Sequence, residues 1–141
     1  MQQELVRDWM TREVITISPE TSLAQAHKLM QEKHIRRLPV MDHDRIVGIV
    51  TLGDVRGAEP SRASSLSIWE MNDLLAKLEV VEIMSRGPIT IGQNASIGEA
   101  ARIMLDKKFS GLPVVDEAGR LVGIITESDI FRLVASEWSK A

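Results

Sequence analysis

The sequence contains no cysteine. Disulfide bridges, thiolate metal sites and cysteine nucleophiles are therefore excluded. It also lacks any apolar run near the roughly 20 residues that a helix needs to cross a bilayer. Residues 1–5 have neither the basic nor the apolar region of a signal peptide. Together these absences predict a cytoplasmic protein without a membrane segment.

Basic clusters and the usual catalytic signatures are missing as well. The net charge is −3 and the two signs are interspersed, so the basic footprint of a nucleic-acid-binding surface is absent. No Gly-x-Ser-x-Gly, phosphate-binding loop or dinucleotide glycine fingerprint occurs. The three histidines lack the spacing of metal ligands. We therefore expect no nucleic-acid partner, no bound metal and no enzymatic activity.

What the sequence does contain is one pattern twice. Displaced by 74 residues, the first half matches the second, and after one inserted residue the match continues at an offset of 75. Such self-similarity predicts two structural repeats, 1–57 and 80–141, joined by a linker at 58–79. The matched positions include Met10 with Met84, 15–17 with 89–91, 38–40 with 112–114, 47–49 with 122–124, Thr51 with Thr126 and Asp54 with Asp129.

Each repeat has the pattern of a β-α-β-β-α unit, so the expected fold class is mixed α/β (α+β). Runs of β-branched and other apolar residues predict the strands. Short polar segments at 43–44 and 117–119 separate the paired runs and predict hairpin turns. The predicted strands or extended segments are 14–17, 37–41 and 46–50 in the first repeat, and 89–91, 112–115 and 121–125 in the second.

The predicted helices carry start signals or apolar stripes. In each repeat the helix after the first strand begins with a capping box. Breaker-rich residues 59–65 open the linker, whose remainder has apolar residues at helical spacing. The capping boxes are Ser22 with Gln25 and Ser96 with Glu99, and the linker stripe is Met71, Leu74, Leu75 and Leu78.

Two ordered motifs recur in both repeats. Residues 38–42 read Leu-Pro-Val-Met-Asp and 48–54 read Gly-Ile-Val-Thr-Leu-Gly-Asp; their counterparts are Leu-Pro-Val-Val-Asp at 112–116 and Gly-Ile-Ile-Thr-Glu-Ser-Asp at 123–129. These sets resemble the CBS domain, which occurs as tandem pairs (Bateman modules), and the linker is similar to that of small stand-alone prokaryotic members. The resemblance covers nearly the whole chain. It implies two repeats packed as a pseudo-two-fold disc, and a homodimer.

The resemblance also implies a ligand in the cleft between the repeats: AMP, ADP, ATP or S-adenosylmethionine, with no catalytic cofactor. Thr51 and Thr126 stand where a strand gives way to a helix, whose free N–H groups favour phosphate. Asp54 and Asp129, three residues on, accept only when ionised and so suit ribose hydroxyls. By resemblance, Thr16, Ile17, Thr90 and Ile91 would edge the adenine, and Pro39 and Pro113 would form apolar walls.

Two of these features have a second interpretation. Thr-x-x-Asp ahead of an apolar helix is also a capping box and needs no ligand. The pair Arg36-Arg37 aligns with Ser110-Gly111, so Arg37 would reach a di- or triphosphate in one site only, or the pair is a solvated surface feature. With the first interpretation, the sequence predicts two related but unequal sites.

Two functions fit these residues. The first is a regulatory module that senses an adenosine-type metabolite and signals to a protein partner that the sequence does not identify. The alternative is a dimerisation or interaction scaffold without a ligand. Mutation of both aspartates separates the two functions, because it would silence a sensor and leave the assembly of a scaffold intact.

Overall fold

The computed structural model describes residues 4–58 and 66–139, and the chain forms two compact units of mixed α/β structure. The first unit is Ile15–Pro88; the second unit combines Met1–Val14 with Ile89–Ala141. In chain order the helices are α1 (Val6–Trp9), α2 (Leu23–Lys33), α3 (Leu52–Ala58), α4 (Ile68–Lys77), α5 (Ile97–Lys107) and α6 (Glu127–Ser139). The strands are β1 (Arg37–Asp42), β2 (Arg45–Thr51), β3 (Ser85–Arg86), β4 (Ile91–Gly92), β5 (Gly111–Val115) and β6 (Leu121–Thr126).

The first unit is built on an antiparallel sheet of order β1-β2-β3. The turn between β1 and β2 contains His43 in a left-handed conformation, with φ 57°. Side chains alternate between the two faces of a strand. Leu38, Val40 and Val50 therefore share the face that packs against Ala26 of α2 and forms the core of this unit.

The second unit has a sheet of order β4-β5-β6, in which β4 runs parallel to β5 and β5 antiparallel to β6. Gly119, with φ 81°, supplies the left-handed residue of the β5–β6 turn. Ala100 and Met104 of α5 pack against Leu112 and Ile125 of the sheet. The core of the first unit is thus built again with equivalent residues.

Each unit also includes a short arm from outside its main repeat, which is residues 78–88 in the first unit and residues 4–14 in the second. The N–H of Leu23, at the start of α2, donates to the carbonyl of Leu78 at 2.8 Å. The N–H of Ile97, at the start of α5, donates to the carbonyl of Glu4 at 2.8 Å. The fully buried arm residues are Val6 and Val80. Both arms therefore satisfy helix-start donors and add apolar residues to a core.

The mixed α/β class is confirmed, and the paired strands lie within one residue of their predicted bounds. The linker helix is confirmed as α4, whereas residues 59–65 lie outside the described residues. Residues 14–17 do not form a regular strand, and Ile17 makes one isolated parallel bridge with Val40. The capping box at Ser22 is complete, but at Ser96 only the bond from the Glu99 N–H is formed, so that prediction is half wrong.

Among residues 4–58 and 66–139, the helices are all too short or too polar to span a membrane.

Candidate functional site

Thr51 and Asp54 form a closed pair at the junction of β2 and α3. The Thr51 N–H donates to Asp54 Oδ2 at 2.9 Å, and the Asp54 N–H donates to Thr51 Oγ1 at 3.1 Å. The Leu52 N–H donates to the carbonyl of Arg36 at 2.8 Å, which ties the start of α3 to the residue before β1. The capping interpretation of Thr-x-x-Asp is therefore correct as geometry, and it leaves Asp54 Oδ1 as an acceptor with no partner in the described part of the chain.

Thr126 and Asp129 occupy the equivalent junction of β6 and α6. The Thr126 N–H donates to Asp129 Oδ2 at 2.9 Å, and its hydroxyl donates to the same oxygen at 3.2 Å. Asp129 Oδ1 accepts from Arg132 Nη1 at 2.8 Å. Both oxygens of this carboxylate are therefore engaged within the protein.

Arg37 and Pro39 lie on the same face of the sheet as Thr51. The register pairs Arg37 with Thr51 and Pro39 with Ile49. Directly opposite residues of an antiparallel pair lie on one face with Cβ atoms about 5 Å apart. Arg37 is half-buried and Pro39 is fully buried. The sheet therefore places the predicted phosphate-binding cation beside the capping threonine.

The segment predicted to edge the adenine runs along β1. The Ile17 N–H donates to the carbonyl of Pro39 at 3.1 Å, and the Met41 N–H donates to the carbonyl of Ile17 at 2.8 Å. Ile17 is buried, whereas Thr16 is exposed. The six predicted site residues of the first repeat thus all belong to the first unit, where they lie on or beside β1, β2 and α3. They are Thr16, Ile17, Arg37, Pro39, Thr51 and Asp54.

The second unit repeats this arrangement. The register pairs Gly111 with Thr126 and Pro113 with Ile124, and Ile91 of β4 pairs in parallel with Val114. Thr90 is half-buried, and Ile91 and Pro113 are buried. The position equivalent to Arg37 is held by Gly111, which has no side chain to reach a phosphate. The asymmetry noted in the sequence therefore lies directly opposite the capping threonines.

Arg132 was not among the predicted site residues. At the offset of 75 residues it aligns with Gly57, so a residue without a side chain in the first repeat corresponds to a guanidinium in the second. That difference is visible in the sequence, but its meaning depends on α6 placing Arg132 one turn beyond Asp129. A comparison of every charged residue with its counterpart in the other repeat would have found it.

A groove in the first unit is separate from these residues. It has a volume of about 450 Å³ and is open to solvent, between the end of α2 and the start of α3. Its lining residues are Met30, Gln31, His34, Ile35, Arg36 and Leu52. None of the predicted ligand-binding residues lines it.

Within the described ranges, no group of three or more His, Asp or Glu residues is arranged to hold a metal ion.

The protein-family model that matches this chain is the CBS domain, at residues 6–61 and 80–136. Inosine-5'-monophosphate dehydrogenase of Korarchaeum cryptofilum is 40% identical over 123 residues, which are 87% of this chain and 23% of that enzyme. The chain thus spans less than a quarter of the length of this relative.

Solved structures agree in fold with the chain. The CBS domain pair of protein MJ0100, in complex with 5'-methylthioadenosine and S-adenosyl-L-methionine, is 31% identical with a TM-score of 0.79, and the match covers 96% of this chain and 99% of that one. CBSX2 of Arabidopsis thaliana in complex with AMP is 30% identical with a TM-score of 0.79, and the match covers 94% and 97% of the two chains. Both similar proteins were thus solved with adenosine-containing ligands.

Proposed function

The chain belongs to the CBS-domain family, with two copies in tandem, and from this premise we propose that it is a regulatory module that binds an adenosine-containing metabolite. The ligand class comprises AMP, ADP, ATP and S-adenosylmethionine. The observation that carries the proposal is the repeated threonine–aspartate pair beside a buried proline, in a chain similar to pairs solved with AMP and with S-adenosyl-L-methionine. We propose no catalytic role for these residues.

Asp54 is the residue best suited to hold the ribose. Its side chain is fixed through Oδ2 to the Thr51 backbone, so the position of Oδ1 is set before a ligand arrives. An ionised carboxylate accepts hydrogen bonds without donating any, which matches the two hydroxyl donors of a ribose. The charged acceptor is therefore already oriented, and little ordering cost remains for the binding step.

The phosphate end of the ligand would lie toward Arg37. This residue stands opposite Thr51 in the register, and a guanidinium makes charge-assisted hydrogen bonds to phosphate oxygens. Gly111 at the equivalent place offers none. We therefore propose that a phosphorylated ligand binds more tightly in the first unit, and that a ligand in the second unit is held without this phosphate contact.

Regulation would follow from differential affinity. A ligand shifts a conformational equilibrium only by the difference between its binding free energies to the two conformations. A micromolar complex has a total of roughly −8 kcal/mol available, of which the switch uses a part. A protein partner, or a second copy of this chain in a homodimer, would respond to the conformation that the ligand favours.

Calorimetric titration of AMP, ADP, ATP and S-adenosylmethionine tests this function. We expect saturable binding of at least one of the four by the wild type and its loss in Asp54→Asn. The matched control is Asp44→Asn, which removes an exposed carboxylate in the β1–β2 turn, at the opposite end of both strands. Absence of binding of all four ligands at millimolar concentration would contradict the proposal.

A ligand-free scaffold is the second candidate, and exposed apolar side chains favour it. Trp69 on α4 is 80% exposed and Trp138 on α6 is 79% exposed, and Phe131 of α6 is 67% exposed. Large apolar side chains in such positions are typical of association surfaces. The double variant Asp54→Asn/Asp129→Asn would leave the molar mass in light scattering unchanged under this alternative, with no nucleotide bound by either protein.

A further inference from the structure

The two aspartates at the helix starts differ in what surrounds them. The side chain of Asp129 is 1% exposed, and its oxygens accept from Thr126 and from Arg132. Asp54 is half-buried, and the described hydrogen bond of its carboxylate is with the Thr51 N–H alone. One carboxylate therefore has both oxygens engaged within the protein, and the other keeps one oxygen that has no partner among the described residues.

The source of the difference is one residue. Arg132 lies three positions after Asp129 on α6, and its Nη1 is 2.8 Å from Asp129 Oδ1. Gly57 lies three positions after Asp54 on α3 and offers no donor from a side chain. Residues three apart on a helix are neighbours on its surface. The repeats thus share the capping pair and differ in the cation beside it.

We propose that Arg132 is a specificity-determining residue, which reserves Asp129 for an internal ion pair and leaves Asp54 as the carboxylate that receives a ribose. The inference rests on the proposed function, because it concerns which of its two aspartates takes the ligand. A ribose hydroxyl at Asp129 Oδ1 has to compete with a charge-assisted hydrogen bond on a side chain that is 1% exposed, whereas Asp54 Oδ1 has no partner among the described residues.

The Arg132 guanidinium competes with a ligand for the Asp129 carboxylate. Its own side chain is 63% exposed, so the guanidinium has room to leave and remain hydrated. A hydrogen bond to a charged group is worth a factor of about ten or more in an equilibrium constant. We therefore expect binding at Asp129 to be weaker than at Asp54 by about tenfold or more, and to recover when the guanidinium is removed.

Calorimetric titration of AMP into the wild type and a set of variants tests the inference. Arg132→Met removes the charge and keeps an unbranched side chain of similar helix propensity, and Gly57→Arg places the same cation three residues after Asp54. A side chain fits there, since a Cβ built on Gly57 meets no atom within 4 Å. Gly57→Met is the matched control for bulk, and Arg102→Met on α5 is the matched control for loss of an exposed arginine.

The wild type should bind one AMP tightly, and Asp54→Asn should abolish that binding. Arg132→Met should gain a second AMP, which a further Asp129→Asn removes, and Gly57→Arg should weaken the first site by about tenfold while Gly57→Met does not. Two equal sites in the wild type, or an unchanged stoichiometry in Arg132→Met, would overturn the role of Arg132 and leave the nucleotide-binding function standing. If neither the wild type nor Arg132→Met binds AMP, both the role of Arg132 and the nucleotide-binding function are overturned.

Discussion

At the scale of single residues, Gly48 and Gly123 lie so close to the arms that an added Cβ would overlap them. A Cβ on Gly48 would overlap Met84 Sδ and lie 2.9 Å from the carbonyl oxygen of Ser85. A Cβ on Gly123 would lie 2.6 Å from Met10 Sδ and 2.9 Å from the carbonyl oxygen of Thr11. In both cases a backbone atom of the arm stands in the way, so repacking of a side chain is not enough.

Gly48→Ala should therefore destabilise the protein. The expected loss is about 1–3 kcal/mol of unfolding free energy, because overpacking forces the backbone of β3 away from β2. Urea unfolding followed by circular dichroism measures it. Gly92→Ala is the control, since a Cβ there meets nothing within 4 Å; equal stability of Gly48→Ala and the wild type would contradict the packing described.

The sequence shows the matched glycines and methionines as one pattern, but it does not show that Gly48 packs against Met84 and Gly123 against Met10. Met10 and Met84 stand at equivalent positions, and nothing in a repeat shows which copy its leading arm packs against. Threonine and aspartate were predictable at the site because their spacing is a helix-start signal. The contact of Arg132 with Asp129 was not predictable from the sequence, because it depends on the direction of the Arg132 side chain and on the burial of Asp129.

At the scale of elements, the β5–β6 hairpin turn is organised by one carboxylate. Asp116 Oδ1 accepts from the N–H of Arg120 at 2.9 Å and from the N–H of Ala118 at 3.0 Å, and Oδ2 accepts from Arg120 Nε at 3.2 Å. The backbone N–H of Arg120, followed by its guanidinium charge and the N–H of Ala118, holds the pKa of Asp116 below its ordinary 3.8. The ionised form is therefore favoured in the folded state.

Asp116→Asn should lower the melting temperature at pH 7. A depressed carboxyl pKa stabilises the fold above the unfolded value of 3.8, and this contribution is lost as the pH falls through the lower folded pKa. The difference in melting temperature between wild type and variant should thus shrink below pH 3.8. Asp106→Asn, at an exposed position on α5, is the control; a difference that stays constant down to pH 2.5 would contradict this role.

The paired strands and their turns were predictable because apolar runs and polar breaks follow each other regularly. The linker helix was predictable from its apolar stripe, of which Leu75 and Leu78 pack against the first core. Leu74 of the same stripe remains 37% exposed. Helical periodicity predicts which side chains share a face of the helix, but it does not predict how deeply each of them is buried. Ser96 illustrates the same limit for caps, where spacing alone does not ensure both bonds.

At the scale of the whole molecule, each of the two units has its own core and depends on an arm from elsewhere in the chain. Val6 and Val80 are both fully buried, one in each core. Their N–H groups donate to the carbonyls of Ala95 and Thr21, each at 2.8 Å. The arms are therefore structural parts of the units rather than linkers.

Val6→Ala and Val80→Ala should each cost about 2 kcal/mol of unfolding free energy, because each leaves a cavity in a packed core. Hydrogen exchange followed by NMR should show the loss of protection in the second unit for Val6→Ala and in the first unit for Val80→Ala. Val134→Ala, at a position 41% exposed, should cost far less. An equally small effect of all three substitutions would show that the arms are not part of the cores.

The most direct test of the central claim is the calorimetric titration of AMP into the wild type and Asp54→Asn, with Asp44→Asn as the control. Our account predicts saturable binding to the wild type and to Asp44→Asn, and no binding to Asp54→Asn. Binding that persists undiminished in Asp54→Asn would contradict this function, because the ligand would then not depend on the Asp54 carboxylate, whose Oδ2 is fixed by the Thr51 N–H.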